Sequence, residues 1–348
     1  MNGMIYGARA PLRLGLAGGG TDVPPYCHDY GGSIVNSTIS LHARAFVRAN
    51  NASEVITMQP DRGMTFQYSL DLPLPITNED HLLTATYNYL FDLAGLKEAL
   101  PCAIITLLAV PPGSGLGSSS TLVVSLVGAI SAWLGLSLGP YDIARTAFRI
   151  EREYLGLSGG YQDQYAATFG GFNLAEFGPG DRVTINPINL SGPLINELES
   201  RLILFDIGTS RFSSKIIDEQ INNLKKNVRQ PFEALDEMKK QALRLKEVFL
   251  CGQIDMLGQI FNEGWLQKKR LARSITNSKI DEILEAVMSA GATGGKISGA
   301  GGGGFMMVYV NENKIFAVTK TLLDLGIRAV PFCFVDRGLQ TWCGKTYY

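Results

Sequence analysis

Residues 111–120, Pro-Pro-Gly-Ser-Gly-Leu-Gly-Ser-Ser-Ser, constrain this chain more than any other segment. They follow a near-continuous apolar run at 102–110, which suits a buried strand. They lead into an apolar stretch at 118–134 that reads as a helix with capping serines at its start. Glycine lets the backbone approach a ligand closely. N–H groups converging on a helix N-terminus attract anions. A strand, this loop and a helix therefore predict a phosphate site. No Gly-Lys-Ser/Thr follows, so it is not a Walker loop. A plain glycine-rich turn capped by serines is the competing reading.

Two further constellations bear on chemistry. Glu151-Arg152-Glu153-Tyr154 precedes Gly159-Gly160-Tyr161-Gln162-Asp163-Gln164, with a glycine-rich turn between them. Phosphoryl transfer to an alcohol needs one carboxylate near the attacking hydroxyl and another to hold magnesium. Glu151 and Asp163 lie twelve residues apart, on separate segments, and fit those two roles. Ordinary acids at a solvated helix end fit them too. The other constellation is the run at 294–305, Gly-Gly-Lys-Ile-Ser-Gly-Ala-Gly-Gly-Gly-Gly-Phe, between two apolar strands. Such a loop is costly to order and stabilises nothing by packing. It is expected to approach a ligand or the first glycine loop.

With 348 residues the chain has room for two domains, and Ser191-Gly192-Pro193 marks the expected boundary, giving 1–190 and 191–348. Strands and helices are interspersed in both parts, so the fold class is α+β. In the second part a helical region is expected over 213–290, broken at Pro231 and Gly252, and a last strand over 330–335. Another helix is expected over 141–154.

Lys+Arg 31 against Asp+Glu 32 gives no reason to expect a nucleic-acid partner. No run reaches the ~18 apolar residues of a membrane helix. The start of the chain lacks a basic stretch followed by an apolar one, so no secretory signal is expected. Cys27, Cys102, Cys251, Cys333 and Cys343 form no CxxC pair and are expected to be buried free thiols of a cytoplasmic protein. His28, His42 and His81 are isolated and do not suggest zinc.

Taken in order, the three constellations resemble the galactokinase, homoserine kinase, mevalonate kinase and phosphomevalonate kinase superfamily. Residues 112–120 look like its central phosphate motif, with Ser120 where alanine is usual. Residues 296–304 look like its C-terminal glycine motif, and 9–22 like its N-terminal motif. The resemblance implies an N-terminal domain like domain 2 of ribosomal protein S5, a ferredoxin-like C-terminal domain, and an active site between them. It implies ATP and Mg2+. It implies a catalytic Asp163 paired with Arg13, and magnesium on Ser119 and Glu151, or on Glu153 if the helix is shifted. ATP would be held by Pro112, Gly113, Ser114, Gly115, Leu116, Gly117, Ser118, Ser119 and Ser120. Gly301 and Gly302 would line the site opposite, with the rest of 299–303.

The acceptor is read from the N-terminal motif. Galactokinases carry Glu-His before Thr-Asp; here the pair is Gly19-Gly20, ahead of Thr21 and Asp22. Losing two polar side chains opens the pocket, and these four residues are expected to bind substrate. Residues 17–22, 208–214 and 294–296 resemble bacterial D-glycero-D-manno-heptose 7-phosphate kinases. That resemblance implies phosphorylation of O1 to a heptose 1,7-bisphosphate, a precursor of nucleotide-activated heptose. Thr209 and Arg211 are expected to receive the phosphate already on the sugar; capping a helix, or pairing with Asp218, is the alternative for Arg211. An L-fucose kinase is the runner-up. A catalytically dead nucleotide and sugar sensor is a reading of another class, against which Asp163, Glu151 and Ser119 all stand. A third is an interaction domain docking through 213–290, although Lys225-Lys226 and Lys239-Lys240 read more simply as a solvated face. A homodimer is left open.

Overall fold

The first apolar stretch folds as β1 (Met4–Ala17), in which every residue from Ala10 onward is buried. The computed structural model describes residues 4–50, 53–208, 213–226 and 229–345. After a short helix α1 (Tyr26–Tyr30), β2 (Gly32–Ala49) returns antiparallel to β1. Then follow β3 (Val55–Gln59), β4 (Met64–Tyr68), α2 (His81–Leu93), β5 (Cys102–Leu108) and α3 (Ser118–Leu134). Helix α4 (Pro140–Arg149) runs into a π-helical turn at Ile150–Tyr154, and α5 (Gln162–Phe169) precedes the hairpin of β6 (Phe172–Gly178) and β7 (Arg182–Pro187). The remainder is α6 (Gly192–Arg201), β8 (Leu202–Asp206), α7 (Ser213–Lys225), α8 (Arg229–Leu250), α9 (Leu257–Lys269), α10 (Ser278–Ser289), β9 (Ala292–Ile297), β10 (Phe305–Val310), α11 (Ile315–Asp324) and β11 (Gln340–Lys345).

The larger sheet runs β11-β1-β2-β5-β3-β4, with the β6–β7 hairpin attached to β2. β2 is long enough to serve two neighbours on one edge: its first residues pair with β6 and its last with β5. The sheet is mixed, because β3 runs parallel to β5 while the other pairings are antiparallel. Helices α2 and α3 bury their apolar faces against one part of it. Helices α8 and α9 pack against β1 and β2 elsewhere, in a core shared with β8 and β10. The smaller sheet, β8-β10-β9, is antiparallel and carries its own core with α8, α9, α10 and α11.

Several expectations need correction. The break expected at Pro231 falls just ahead of it: α7 ends at Lys225 and α8 begins at Arg229, with Pro231 in its first turn, where a missing N–H leaves no intrahelical bond unmade. The expected helix over 141–154 is α-helical only to Arg149. Residues 330–335 form a single bridge, Ile39 to Phe334, and no strand. The last strand is β11, which crosses back to pair with β1. Cys251, Cys333 and Cys343 are exposed, so only Cys27 and Cys102 are the buried thiols expected.

Candidate active site

β1 delivers Arg13 to the inner end of the larger sheet, where it is 4% exposed. Its Nε and Nη2 both end on Oδ1 of Asp163, at 2.8 and 2.7 Å. Asp163 lies in the first turn of α5, where the helix dipole favours a carboxylate. Among the described residues its Oδ2 has no hydrogen-bond partner. Arg13 also donates to the Gly115 carbonyl and, at 3.3 Å, to Ser298 Oγ. One guanidinium thus ties the aspartate to both glycine loops.

The first loop is shaped by Gly113, Gly115 and Gly117, at φ 80, 79 and 77°. These left-handed conformations cost a glycine little. They deliver the chain to the N-terminus of α3, where Ser118, Ser119 and Ser120 occupy the first turn. Leu116 is fully buried in the core and anchors the loop from behind. The second loop packs on the first through backbone alone. Phe305 N donates to Ser114 O at 3.0 Å, and a Cβ on Gly299 would come within 2.7 Å of Gly115 O. Of the two reasons for ordering that loop, contact with the first loop is the one observed.

The two loops, the turn at 157–160, α7, α9 and β9 enclose a cavity of about 260 Å³. Of the residues singled out from sequence, Arg13, Gly19, Gly20, Asp22, Gly113, Gly115, Gly117, Ser118, Ser119, Ser120, Glu151 and Asp163 line it. Glu151 is 2% exposed and accepts from Gln164 Nε2 at 2.5 Å. Gln164 Nε2 also reaches Ser120 Oγ, at 3.1 Å. Glu153, its alternative, points outward and is paired at long range with Arg149. Asp22 accepts from Gln162 N at 2.9 Å. Burial raises the Asp22 carboxyl above the usual range, against that hydrogen bond, and the nearby Asp163 adds to the rise.

Other expected residues do not reach the cavity. Thr21 is fully buried and spends its hydroxyl on the fold, donating toward Gly18 O and Ser33 O and accepting from Ser33 N. Pro112 and Leu116 do not line the cavity, and Ser114 lies beneath it, its Oγ beside Ser118 Oγ. Gly301 and Gly302 turn toward Ile275, whose carbonyl accepts from Gly302 N at 2.7 Å; Gly299 and Ala300 face the cavity instead. Thr209 and Arg211 lie outside the described residues. Asp218, the alternative partner of Arg211, accepts from Ser158 Oγ at 2.5 Å.

Sequence reasoning missed two lysines. Lys296 Nζ enters from β9 and donates to Gly15 O at 2.9 Å and Leu16 O at 3.2 Å. Burial lowers its ammonium to about 7, and Lys268 and Arg13 add to the effect. Its position after Gly294 and Gly295 was a signal, because a long side chain next to glycines has room to thread inward. Lys268, from the last turn of α9, donates to Gly19 O at 3.0 Å; next to Lys269 it reads as an ordinary solvated helix end.

Comparison with known proteins bears on this arrangement. Residues 81–171 match the family model "GHMP kinases N terminal domain", and 242–322 match "GHMP kinases C terminal". The chain is 37% identical to a D-glycero-alpha-D-manno-heptose 7-phosphate kinase of Campylobacter jejuni, over 96% of this chain and 98% of that one. The chain belongs to the GHMP kinase family. Its two-domain α+β architecture is that of the family. A crystal structure of a D-glycero-D-manno-heptose 1-phosphate kinase from Bacteroides thetaiotaomicron superposes with a TM-score of 0.82 at 36% identity, covering 99% of this chain and 100% of that one. Lactococcus lactis galactokinase, at 16% identity, shares the fold with a TM-score of 0.76 over 97% of this chain and 95% of its own. An L-fucokinase/L-fucose-1-P guanylyltransferase of Bacteroides fragilis is 27% identical over 97% of this chain, which spans 38% of that protein.

Proposed function

We propose that the chain is an ATP-dependent sugar-phosphate kinase that phosphorylates O1 of D-glycero-D-manno-heptose 7-phosphate to the 1,7-bisphosphate. The observation that carries the chemistry is Asp163, with one carboxylate oxygen fixed by Arg13 and the other open beside the N-terminus of α3. The acceptor follows from the two heptose kinase relatives, whose identity extends over nearly the whole chain.

The loop glycines 113, 115 and 117 and the first N–H groups of α3 cradle the ATP phosphates. Asp163 Oδ2 accepts the hydrogen bond of the acceptor hydroxyl and aims it at the γ-phosphorus. Arg13 keeps the carboxylate in place. A loose transition state makes aim and charge neutralisation matter more than base strength. The donor set fits magnesium, a hard cation that prefers oxygen ligands: the Glu151 carboxylate and the Ser119 hydroxyl, both lining the cavity, would hold it. When bound, that ion neutralises charge developing on the phosphates.

We further assign residues 1–190 to a ribosomal protein S5 domain 2-like unit and 191–348 to a ferredoxin-like unit whose last strand, β11, crosses back into the sheet of the first. The antiparallel β8-β10-β9 sheet with its helices supports the second. No helix among the described residues is long and apolar enough to cross a membrane. A cytoplasmic enzyme is the reading we adopt.

The names of the two heptose kinase relatives put the phosphate at different carbons, 7 and 1. Phosphorus NMR of the product from heptose 7-phosphate tests the carbon that receives the new phosphate. A new phosphorus coupled to the anomeric proton is expected; a new phosphorus at any other carbon would overturn the assignment of O1.

The contact between the glycine loops gives a second test. A Cβ at Gly115 would meet the Ser298 carbonyl in a backbone already at φ 79°. Gly115→Ala is expected to destabilise the protein by about 1–3 kcal/mol in denaturant unfolding. It should weaken ATP binding, and heptose phosphate binding less. Unchanged ATP affinity would argue against the loop as the phosphate cradle.

A further inference from the structure

Lys268 belongs to neither the phosphate cradle nor the Arg13–Asp163 pair. It is 7% exposed, lines the cavity, and donates to Gly19 O at 3.0 Å. An ammonium has three donors, and among the described residues this is its one acceptor. Lys296 differs, because two carbonyls of β1 hold it as a brace. Beside Lys268 the chain keeps side chains away: a Cβ on Gly19 would lie 4.0 Å from its Nζ, and one on Gly20 3.7 Å. The Gly19-Gly20 pair therefore opens the cavity onto a buried cation.

The charge balance of the cleft points the same way. Arg13, Arg152, Lys268 and Lys296 line it against Asp22, Glu151 and Asp163. Among the described residues Lys268 is one of four cations that face three carboxylates across the cavity. Buried cations with unfilled donors favour an oxygen-rich, anionic ligand.

We infer that Lys268 is a specificity-determining residue for the acceptor, its free N–H donors holding oxygen atoms of the sugar phosphate on the side of the cleft lined by Asp22, Gly19 and Gly20. This rests on the kinase reading above and supplies a residue for its acceptor half. The phosphate or a sugar hydroxyl can provide the oxygen.

Calorimetric binding tests the inference without depending on turnover. Lys268→Met is expected to weaken heptose 7-phosphate binding about ten- to a hundred-fold, with the affinity for a non-hydrolysable ATP analogue changed less than about two-fold, which also reports that the variant is folded. Lys268→Arg should retain most of the binding. Gly19→Asp, which sets a carboxylate within reach of Nζ while leaving the lysine in place, should lose it as Lys268→Met does. Free heptose in the same assay assigns the contact: a loss confined to the 7-phosphate makes it a phosphate contact, and an equal loss on both makes it a hydroxyl contact. Burial lowers the Lys268 ammonium to about 8, with Asp22 and Asp163 opposing and Arg13 assisting; Lys296 faces it as well. Wild-type binding should therefore weaken as pH rises through about 8, and Lys268→Arg should not. Three results would overturn the inference: a Lys268→Met variant that binds the sugar phosphate as wild type does, one that loses sugar phosphate and nucleotide equally, or wild-type protein that binds neither sugar.

Discussion

Asp163→Asn is expected to lower kcat by about 10²–10⁴-fold. The amide keeps the size of the carboxylate but loses its charge and half of its acceptor capacity. Oδ1, now held by two Arg13 donors at 2.8 and 2.7 Å, would face the guanidinium either as a neutral oxygen or as a repelling NH2. The acceptor hydroxyl would then lose the oxygen that aims it. The ATP cradle is built from other residues, so nucleotide affinity should change by less than about two-fold. Single-turnover kinetics with an independent ATP titration measures both. A variant that loses ATP binding to the same degree as kcat would show that Asp163 supports the cradle and does not orient the acceptor.

Arg13→Leu should be the most damaging single change to the whole site. Arg13 is buried, and its removal strands three acceptors at once: Asp163 Oδ1, the Gly115 carbonyl and Ser298 Oγ. Leaving a fully buried charge without its partner costs about 3–5 kcal/mol, and the partly exposed Asp163 places this change toward the lower end. Denaturant unfolding should show a loss of that size, with kcat falling at least as far as in Asp163→Asn. Arg13→Lys should recover part of the stability but little of the rate, because a point charge cannot fork to one carboxylate oxygen and two loops together. A folded, fully active Arg13→Leu enzyme would remove the pairing from the mechanism.

The parts of the site that could be read from sequence are those with local physics. The strand, glycine loop and helix around 111–134 specify their own geometry, and α3 begins and ends where its serines and apolar run predict. Asp163 and Glu151 were legible because phosphoryl transfer needs carboxylates and these lie beside a glycine-rich turn. Long-range packing was not legible. Nothing local tells that Lys268, next to Lys269 at a helix end, turns inward to Gly19. Nothing local tells that Thr21 is consumed by Ser33 across the turn. Residues 330–335 have strand composition, but the open edge of β1 is filled by β11 instead. Pro231 was legible as a helix boundary because a proline is accommodated in a first turn, where no N–H is needed.

The central claim is that this cleft transfers phosphate from ATP to a heptose that already carries one. Its most direct test is ADP release by the purified protein with ATP and magnesium, using heptose 7-phosphate, mannose 6-phosphate, free mannose, L-fucose and galactose as acceptors. The expected result is efficient turnover of heptose 7-phosphate, slow use of mannose 6-phosphate and no use of the free sugars. Turnover of L-fucose alone would keep the roles of Asp163 and Arg13 but contradict the phosphorylated acceptor. ATP binding without turnover of any of the five would contradict the enzyme itself.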